Sequence, residues 1–472
     1  MKKLFYLLSF LILTACGDDK FSPGIPDIGI PEVEQPKDVD SVPVVEVPEV
    51  PEVDIPDPVI PESEEPEPYR PTRKIGKTYT FDLVEDSGID QTKAIQDVLD
   101  KAENGYIDKN GDTIVNVIQF PEGKYWTEGF DVGLKKKYVI GLLNKEFIDI
   151  EASGATLYTK APGHPYGGDI GKGRYSHRRH FWIENSKFIE IQGLRIEGSN
   201  TIQGDLLGTT KAYTPDFWKA GGLDRGAHGD VPAYASYLEF EHGYAVNESQ
   251  NITFDNCSVY GVWGDGFYLG NKVSEGGSRN IKILNSVVDF VGRQGFAASV
   301  ADGVIIDNCE FKRVRRAPID FEPYGATGYV NNVRLTNTYL EGFHGGIAAL
   351  GRGQVNNIYI ENVKINSPGP DISCWDSAGK TVRENWHVKN LSRVRSYGSH
   401  VGSIRFKKTN NITIENSFVP IAKSQSKKSM ELTDCENVTI TGNDFTNGLY
   451  IISENSSVTA KGNTPKQEII IE

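Results

Sequence analysis

The chain has 472 residues, of which 38% are hydrophobic and 24% charged, with 49 Gly, 24 Pro, 5 Cys and a formal net charge of −14. The acidity lies in residues 17–69, where 16 Asp and Glu face 2 Lys, whereas residues 70–472 carry 46 Lys and Arg against 48 Asp and Glu. This balance excludes a basic nucleic-acid surface as a global feature, and no later stretch approaches the ~18 uninterrupted apolar residues of a membrane-spanning helix.

The chain begins with a short basic region and the apolar run LFYLLSFLILTA, which predicts a signal peptide over residues 1–15. The run LTAC that ends at Cys16 resembles the lipobox of bacterial lipoproteins, which implies that Cys16 is lipidated and becomes the mature N-terminus. Several acyl chains on one residue would give stable anchoring. The GDDK that follows is similar to signals that send lipoproteins to the cell surface, so we expect an outer-membrane lipoprotein exposed there. An ordinary secretory signal with a chance cysteine is the alternative.

Residues 16–72 are predicted to form a lipid-anchored stalk. Thirteen of the 24 prolines lie between Pro23 and Pro71, interleaved with Val, Ile, Glu and Asp. Proline removes backbone donors and like charges repel, so this segment cannot build a sheet or bury a core. We expect an extended tether between the membrane and the folded part.

A helix and a strand open the folded part. DQTKAIQDVL at 90–99 has the apolar spacing of a helix, and VIQFPEGKY at 117–125 has the pattern of a strand and turn. Together they resemble the N-terminal cap of the pectin-lyase-like superfamily of right-handed parallel β-helices. The resemblance implies an all-β, single-stranded β-helix over residues 73–472 with a short capping helix. A solenoid needs such a cap because its first coil would otherwise expose an open sheet edge.

Internal repeats support the same architecture. Seven nine-residue segments have apolar residues at places 2, 4 and 9, and six of them have Asn at place 6: NITFDNCSV (251), NIKILNSVV (280), GVIIDNCEF (303), NVRLTNTYL (332), NIYIENVKI (357), NITIENSFV (411) and NVTITGNDF (437). Residues 385–393 form a degenerate copy, and further coils are expected from Phe188 and Phe147 onward. A spacing of 23 to 29 residues between most neighbours predicts one coil per repeat.

One residue of each repeat is expected to form a ladder at a turn. Asparagine tolerates left-handed backbone, and its side chain can bond to the neighbouring coil. The residues are Asn256, Asn285, Asn308, Asn337, Asn362, Asn390 and Asn416. Cys257 and Cys309 occupy the same place in repeats that are two coils apart. At ~4.8 Å per coil their Cα atoms are roughly 9.6 Å apart, which is too far for a disulfide. They, Cys374 and Cys435 are therefore predicted to be buried thiols.

The second strand of each coil carries the candidate chemistry. Its inward residues are predicted to be Tyr244, Phe267, Phe296, Ile319, Ile347, Ile372 and Ile404. Because side chains alternate along a strand, Asp320 and Glu322 point outward, roughly 6.7 Å apart at ~3.3 Å per residue. The places stacked on Asp320 are Ala297 and Ala348, so small residues surround the two carboxylates. We expect this face to form the floor of a groove.

The same alignment gathers acids, bases and arginines around that floor. The expected catalytic group is Asp320, Glu322, Asp265, Arg293, Arg316 and His344, and the expected substrate-binding group is Glu241, His242, Tyr268, Gln294, Arg315 and Trp218. The alternative is that the arginines and the carboxylates form a surface ion network without a catalytic role. Asp265, which lies between two glycines, could equally be a turn residue. Trp218 lies in a long interruption of the repeat, residues 199–237, that we expect to overhang the groove. Trp263 and Trp375 are further candidates for stacking on a sugar.

Two catalytic interpretations fit these residues. In a hydrolase, two carboxylates flank the scissile bond, and an inverting pair requires roughly 6.5–9.5 Å between them. In a lyase, a base such as Arg293, Arg316, His344, His242 or Tyr268 takes the proton beside a uronate carboxylate. In that case Asp320 and Glu322 could hold a Ca²⁺ that bridges the uronate.

A third interpretation is a non-catalytic adhesin or glycan-binding solenoid. The segments LEFEHG, GDGFYLG, GRQGFA and RRAPIDFEP are similar to β-helix proteins of the pectin-lyase-like superfamily, over about residues 78–460. The resemblance implies a polysaccharide partner. From the charge balance we expect no nucleic-acid partner, and we expect a monomeric chain. We therefore expect an enzyme that cleaves an extracellular acidic polysaccharide as a lyase or a hydrolase, with the binder as the alternative.

Overall fold

The computed structural model describes residues 73–128, 138–160, 179–200, 239–270, 277–325, 327–342, 344–367, 369–376, 378–394, 404–419, 428–445, 450–464 and 468–471. All of them belong to one compact unit, Pro66–Glu472. The predicted signal peptide and stalk, Cys16 and Trp218 lie outside the described residues. Within the described ranges, no helix has the length and apolarity to cross a membrane.

The longest sheet, sheet 1, has 14 strands, and its main path is parallel throughout. A short antiparallel strand, β2 (Tyr106–Ile107), pairs with β3 beside that path. The strands of the main path are β1 (Arg73–Thr80), β3 (Thr113–Gln119), β6 (Glu146–Glu151), β9 (Lys187–Gln192), β12 (Gln250–Asp255), β15 (Ser278–Leu284), β18 (Ala301–Asp307), β21 (Tyr329–Thr336), β24 (Gln354–Glu361), β27 (Arg383–Lys389), β30 (Thr409–Glu415), β32 (Val438–Thr441) and β34 (Val458–Lys461).

Two further parallel sheets complete each coil. Sheet 2 consists of β4 (Gly123–Trp126), β7 (Ala155–Tyr158), β10 (Arg195–Glu197), β13 (Ser258–Tyr260), β16 (Val287–Asp289), β19 (Glu310–Val314), β22 (Tyr339–Gly342), β25 (Lys364–Asn366) and β28 (Ser392–Arg393). Sheet 3 consists of β5 (Tyr138–Leu143), β8 (Arg179–Glu184), β11 (Tyr244–Asn247), β14 (Phe267–Gly270), β17 (Phe296–Ala298), β20 (Ile319–Phe321), β23 (Ile347–Ala349), β26 (Ile372–Cys374), β29 (Ile404–Lys407), β31 (Lys428–Thr433), β33 (Tyr450–Glu454) and β35 (Glu468–Ile471).

The chain passes through sheets 1, 2 and 3 in turn and then begins the next coil. For example, β12, β13 and β14 form one coil, and each pairs in parallel with the corresponding strand of β15, β16 and β17. Each predicted repeat begins in a strand of sheet 1, except the last, which begins one residue before β32, and the degenerate copy at residues 385–393 coincides with β27 and β28. The prediction of an all-β parallel β-helix is confirmed.

The core follows from alternation along the strands. In β12, Ile252 and Phe254 are buried while Thr253 between them is partly exposed. Ile252 stacks on Ile281 of the next coil and Ile281 on Val304, so apolar residues at one place form a column along the solenoid. The seven residues predicted to point inward from sheet 3 are all buried. Burial of these columns is the main source of stability for such a stack.

Two asparagine ladders line the ends of sheet 1. All seven predicted residues have left-handed backbone, and Asn308, Asn362 and Asn390 each donate from the side-chain amide to the asparagine of the preceding coil at 2.7–3.1 Å. A second ladder occupies place 1 of the repeats. Asn357, for instance, donates to Asn332 at 2.9 Å, and both have positive φ. The sequence analysis missed this ladder, although Asn at place 1 is visible in six of the seven segments.

The four cysteines in the described part of the chain are buried and free, as predicted. The Cys257 thiol donates to the Ile191 carbonyl at 3.3 Å, and the Cys309 thiol donates to the Ile283 carbonyl at 3.4 Å. Burial raises the pKa of both thiols to about 12. They therefore act as small apolar residues that satisfy backbone acceptors.

The predicted capping helix, α1 (Thr92–Lys101), covers the first strand of sheet 3. The buried side-chain amide of Gln96 donates to the Gly141 carbonyl at 2.7 Å and accepts the Gly141 N–H at 2.8 Å. Gln96 thus makes the pair of hydrogen bonds that a further strand would have made to β5. Covering an exposed edge in this way prevents pairing with other chains.

A buried ion pair interrupts the apolar interior of one coil. Asp371 and Arg393 are buried, and an Arg393 guanidinium nitrogen lies 3.6 Å from the Asp371 carboxylate. In the preceding coil, Gly346 and Ile365 occupy the corresponding positions and pack closely together. Burial raises the pKa of Asp371 to about 7, although Arg393 acts in the opposite direction.

Candidate active site

The site lies on the outer face of sheet 3, where strand register stacks one residue of each coil on the next. Tyr268, Ala297, Asp320 and Ala348 form a single column, as predicted. Glu322 follows two residues after Asp320, and its N–H donates to the Ala298 carbonyl at 2.8 Å. Alternation along the strand therefore places Asp320 and Glu322 on the same side of the sheet.

A second column lies at the bend before each strand of sheet 3. The N–H of Gly243 donates to the Asp265 carbonyl, and the N–H of Gly266 donates to the Gln294 carbonyl, each at 2.9 Å. These ladder bonds stack His242, Asp265 and Gln294 on successive coils. The bend thus brings three polar side chains beside the column that contains Asp320.

Asp265 is fully buried at the centre of these contacts. Its carboxylate accepts the Gln294 N–H at 3.0 Å and an Arg293 guanidinium hydrogen bond at 3.2 Å, and lies 3.2 Å from His242 Nδ1. Burial by itself would raise the pKa of Asp265, but the charged Arg293 and the Gln294 N–H lower it below its usual value. Asp265 is therefore an ionised anchor rather than a free turn residue.

Arg293 connects Asp265 to the outer carboxylates. One terminal nitrogen bonds to Asp265, and the other donates to Glu322 at 2.9 Å. Its Nε lies 3.9 Å from the Glu239 carboxylate. Burial lowers the pKa of Arg293, but the surrounding carboxylates, Asp265 first, raise it well above its usual value. Arg293 thus stays charged and holds Glu322 in place.

Among the carboxyl groups of the site, Asp320 has the largest change in pKa. It is only 8% exposed and accepts one hydrogen bond, from the Gln294 side-chain amide at 2.9 Å. Burial and the nearby Glu322 raise the pKa of Asp320 to about 8, against smaller opposing effects of Arg293 and Gln294. At neutral pH the site therefore combines a protonated Asp320 with an ionised Asp265.

His242 is held neutral beneath this cluster. Its Nδ1 accepts the Asp265 N–H at 3.1 Å, and its ring stacks on Tyr268 at 4.4 Å. Burial lowers the pKa of His242 to about 4. The Tyr268 hydroxyl lies 3.1 Å from Ser299 Oγ, and burial raises the pKa of Tyr268 above its usual value. Neither group carries a charge at neutral pH.

The expectation of an open groove floor needs correction for several residues. Asp265 and His242 are fully buried, and Glu241, Gln294 and Arg315 are nearly so. Packing between adjacent coils, which the alternation along one strand does not reveal, covers them. Arg316 is half-buried, His344 is exposed, and the Glu322 side chain is 29% exposed. Trp263 is buried and its indole N–H donates to Ser199, so it does not face a sugar.

The residues present do not fit the Ca²⁺ site suggested for Asp320 and Glu322. Among the described residues, no three His, Cys, Asp or Glu side chains converge in a way that could hold a metal ion. Arg293 also bonds to Glu322, so a cation there would meet the guanidinium charge. Glu239 is the site residue that the sequence analysis missed. The signal was its position two residues before Glu241 in a segment already singled out.

Comparisons with known proteins address the fold. No family model and no curated protein matches the chain. Among solved structures, the surface adhesin PfbA of Streptococcus pneumoniae matches with a TM-score of 0.55 and 14% identity, covering 82% of this chain and 89% of the adhesin. The chain has a right-handed parallel β-helix fold. A family 28 exopolygalacturonase of Yersinia enterocolitica matches with a TM-score of 0.45 and 14% identity, covering 84% of this chain and 77% of the enzyme.

Proposed function

We propose that this β-helix is a carbohydrate-active enzyme that hydrolyses a polysaccharide on the outer face of sheet 3, with Asp320 as the general acid. One observation carries the proposal. The buried Asp320 carboxyl, whose pKa is raised by burial and by the nearby Glu322, lies on the same side of sheet 3 as the partly exposed Glu322 two residues further on. A carboxyl whose pKa is raised by burial is the usual general acid in glycoside hydrolysis, where it acts together with a second carboxyl group.

In the proposed reaction, Asp320 donates its proton to the glycosidic oxygen as the bond to the anomeric carbon breaks. Glu322 accepts a proton from the water that attacks that carbon. The backbones of the two residues are about 6.7 Å apart along the strand at ~3.3 Å per residue, and an inverting enzyme requires roughly 6.5–9.5 Å between the two carboxyl groups. The products are one sugar chain with a free hydroxyl and one with a hemiacetal, which together contain the atoms of the water consumed. Before the next cycle, Glu322 releases its proton to solvent and Asp320 takes one up.

The buried residues act through these two groups. Gln294 holds the Asp320 carboxyl, Arg293 holds Glu322, and Asp265 fixes both by accepting the Gln294 N–H and the Arg293 guanidinium bond. We therefore assign Asp265, Arg293 and Gln294 as positioning residues. Side chains locked in this way keep catalytic groups within the narrow geometry that turnover requires.

The lyase alternative has less support in this geometry. A lyase base must lose its proton, but Arg293 is surrounded by carboxylates that raise its pKa. His242 is neutral but fully buried beneath Tyr268. Arg316, His344 and Tyr268 remain as candidate bases. Ultraviolet absorbance from unsaturated uronates would identify that reaction.

The test incubates the detergent-solubilised full chain with acidic and neutral polysaccharides, recording new reducing ends and ultraviolet absorbance together. Hydrolysis predicts reducing ends without absorbance. Asp320→Asn should lose at least a hundredfold in kcat, because general acid catalysis contributes that much. Asp289→Asn is the control, since it makes the same substitution at a carboxylate on sheet 2, which pairs with Arg313 and lies outside the site. Unchanged kcat in Asp320→Asn would remove Asp320 from the mechanism.

A non-catalytic glycan-binding protein is the second candidate. The specific observation is that Arg293 ties Asp265 and Glu322 together, an arrangement that also occurs in purely structural ion networks. The structurally similar PfbA is a surface adhesin. Binding of a polysaccharide without new reducing ends and without ultraviolet absorbance would favour this candidate.

We also propose that the chain is a lipoprotein attached to the outer membrane through Cys16 and exposed at the cell surface. The LTAC motif and the Pro-rich segment 17–72 support this location. Cys16→Ala should move the protein from the membrane to the soluble fraction. Persistent membrane association of that variant would contradict the assignment.

A further inference from the structure

A cavity of about 490 Å³ opens on sheet 3, farther along the solenoid than the carboxylates. Residues of three successive coils line it, among them Trp375, Asp376, Arg405, Lys407, Glu431 and Thr433. None of them belongs to the cluster around Asp320. A concave site with an aromatic ring and a few polar groups is the usual form of a small-ligand subsite.

Strand register connects this cavity to the proposed general acid. The column that contains Asp320 continues through Ala348 and Ser373 to Arg405. Three coil-to-coil steps of ~4.8 Å put Arg405 roughly 14 Å from Asp320 along the solenoid. Between them the outward residues, alanine and serine, are small. A flat strip therefore runs from the carboxylates to the cavity, with a length suited to an oligosaccharide rather than to one sugar.

Among the described residues that line the cavity, Lys407 is the cation available to a ligand. The Asp376 carboxylate accepts the backbone N–H groups of Ala378, Lys380 and Thr381 at 2.7–3.0 Å, which also shapes the adjoining turn. Glu431 lies 3.2 Å from the Arg405 guanidinium. Lys407 is exposed, and among the described residues no carboxylate lies within salt-bridge distance of its ammonium.

The aromatic ring supplies the other half of the site. Trp375 is only partly buried, in contrast to Trp263, and its backbone N–H donates to the Ala349 carbonyl, which fixes the backbone of this residue just after β26. Trp375 and Lys407 come from neighbouring coils and line the same cavity. A ring beside an ammonium group suits a sugar that presents both an apolar face and a negative charge.

We propose that this cavity is a distal subsite that binds an anionic sugar unit, carboxylated or sulfated, through Trp375 and Lys407. The proposal rests on the proposed function for the glycan nature of the ligand. Binding itself does not require turnover. The subsite would select acidic polysaccharides and hold the chain along the strip that leads to Asp320. Binding energy from such a remote unit can support the reaction at the cleavage point.

The test measures binding to the full chain by calorimetry, using a galacturonate hexamer, a sulfated galactan hexamer and cellohexaose. Wild type should bind at least one anionic hexamer tenfold or more tightly than cellohexaose, and the two anionic arms distinguish carboxylate from sulfate. Lys407→Gln should weaken that binding about tenfold, with a reduced salt dependence. Trp375→Ala should weaken it at least as much. Lys364→Gln, an exposed lysine on sheet 2, is the matched control and should bind like wild type.

The outcomes separate the two proposals. Cellohexaose bound as tightly as the anionic hexamers, failure to bind either anionic hexamer, or a Lys407→Gln variant that binds like Lys364→Gln would each overturn the subsite. Loss of binding in Lys407→Gln and Trp375→Ala with no turnover by wild type would retain the subsite and reject the enzyme. Turnover with KM unchanged in both variants would retain the enzyme and reject the subsite.

Discussion

Replacing Asp320 by asparagine should stabilise the protein as pH rises while removing its activity. The pKa of Asp320 is about 8 in the folded chain against a usual 3.8, because burial and Glu322 disfavour the charged form. A carboxyl with a raised folded-state pKa contributes stability that is present below its unfolded pKa. That contribution is lost as pH rises from about 4 through about 8. Asparagine keeps the shape and cannot ionise, so the variant avoids this loss.

The shift of about four pKa units corresponds to a loss on the order of 5 kcal/mol from the free energy of unfolding of the wild type above pH 8. For a folded part of about 400 residues, unfolding entropy near 2.1 cal/mol/K per residue converts this to roughly 6 °C in Tm. The wild-type and Asp320→Asn proteins should therefore melt at similar temperatures near pH 4. Their Tm values should diverge progressively up to about pH 8, with the variant higher.

The assay is thermal unfolding of the full chain at half-unit steps between pH 4 and pH 9, with Asp289→Asn measured in parallel. The control carboxylate is partly exposed and paired with Arg313, so its replacement should not reproduce the divergence. A constant Tm difference between wild type and Asp320→Asn across this range would refute the protonated state of Asp320. The assignment of Asp320 as general acid would then lose its basis.

Three further predictions concern other contacts. Arg393→Ile alone should lower the free energy of unfolding by on the order of 3 kcal/mol, because it removes the Arg393 hydrogen bonds to the Ser367 and Gly369 carbonyls and leaves the Asp371 carboxyl buried without its cation. Denaturant unfolding should show Asp371→Gly/Arg393→Ile recovering the part that comes from Asp371. If the double variant is no more stable than the single one, the pair is not the cause. Asp265→Asn should lower kcat more than tenfold with a smaller change in KM, since it releases the groups that position Asp320; equal changes in both would indicate a general loss of structure. Gln96→Ala should increase amide hydrogen exchange at β5 while leaving distant coils unchanged, and uniform exchange would contradict a local capping role.

The sequence determined the solenoid and the residues that face its interior. Apolar residues at places 2, 4 and 9 recur with each coil, so the period itself specifies which side chains stack in sheets 1 and 2. Asparagine at place 6 marked a turn because few other residues adopt left-handed backbone there. For the same reason, the column of Tyr268, Ala297, Asp320 and Ala348 was predictable from alignment alone.

The tertiary structure decided how the polar residues combine. Which carboxylate Arg293 contacts depends on how the bend of one coil meets the strand of the next, and linker length between strands varies from coil to coil. Burial of Asp320, and with it the rise in its pKa, comes from neighbours that are distant in sequence. The cavity at Trp375 and Lys407 likewise exists only where successive coils meet. Sequence periodicity fixes which residues lie at the same place on successive coils, whereas exposure, charge and pairing depend on packing between coils.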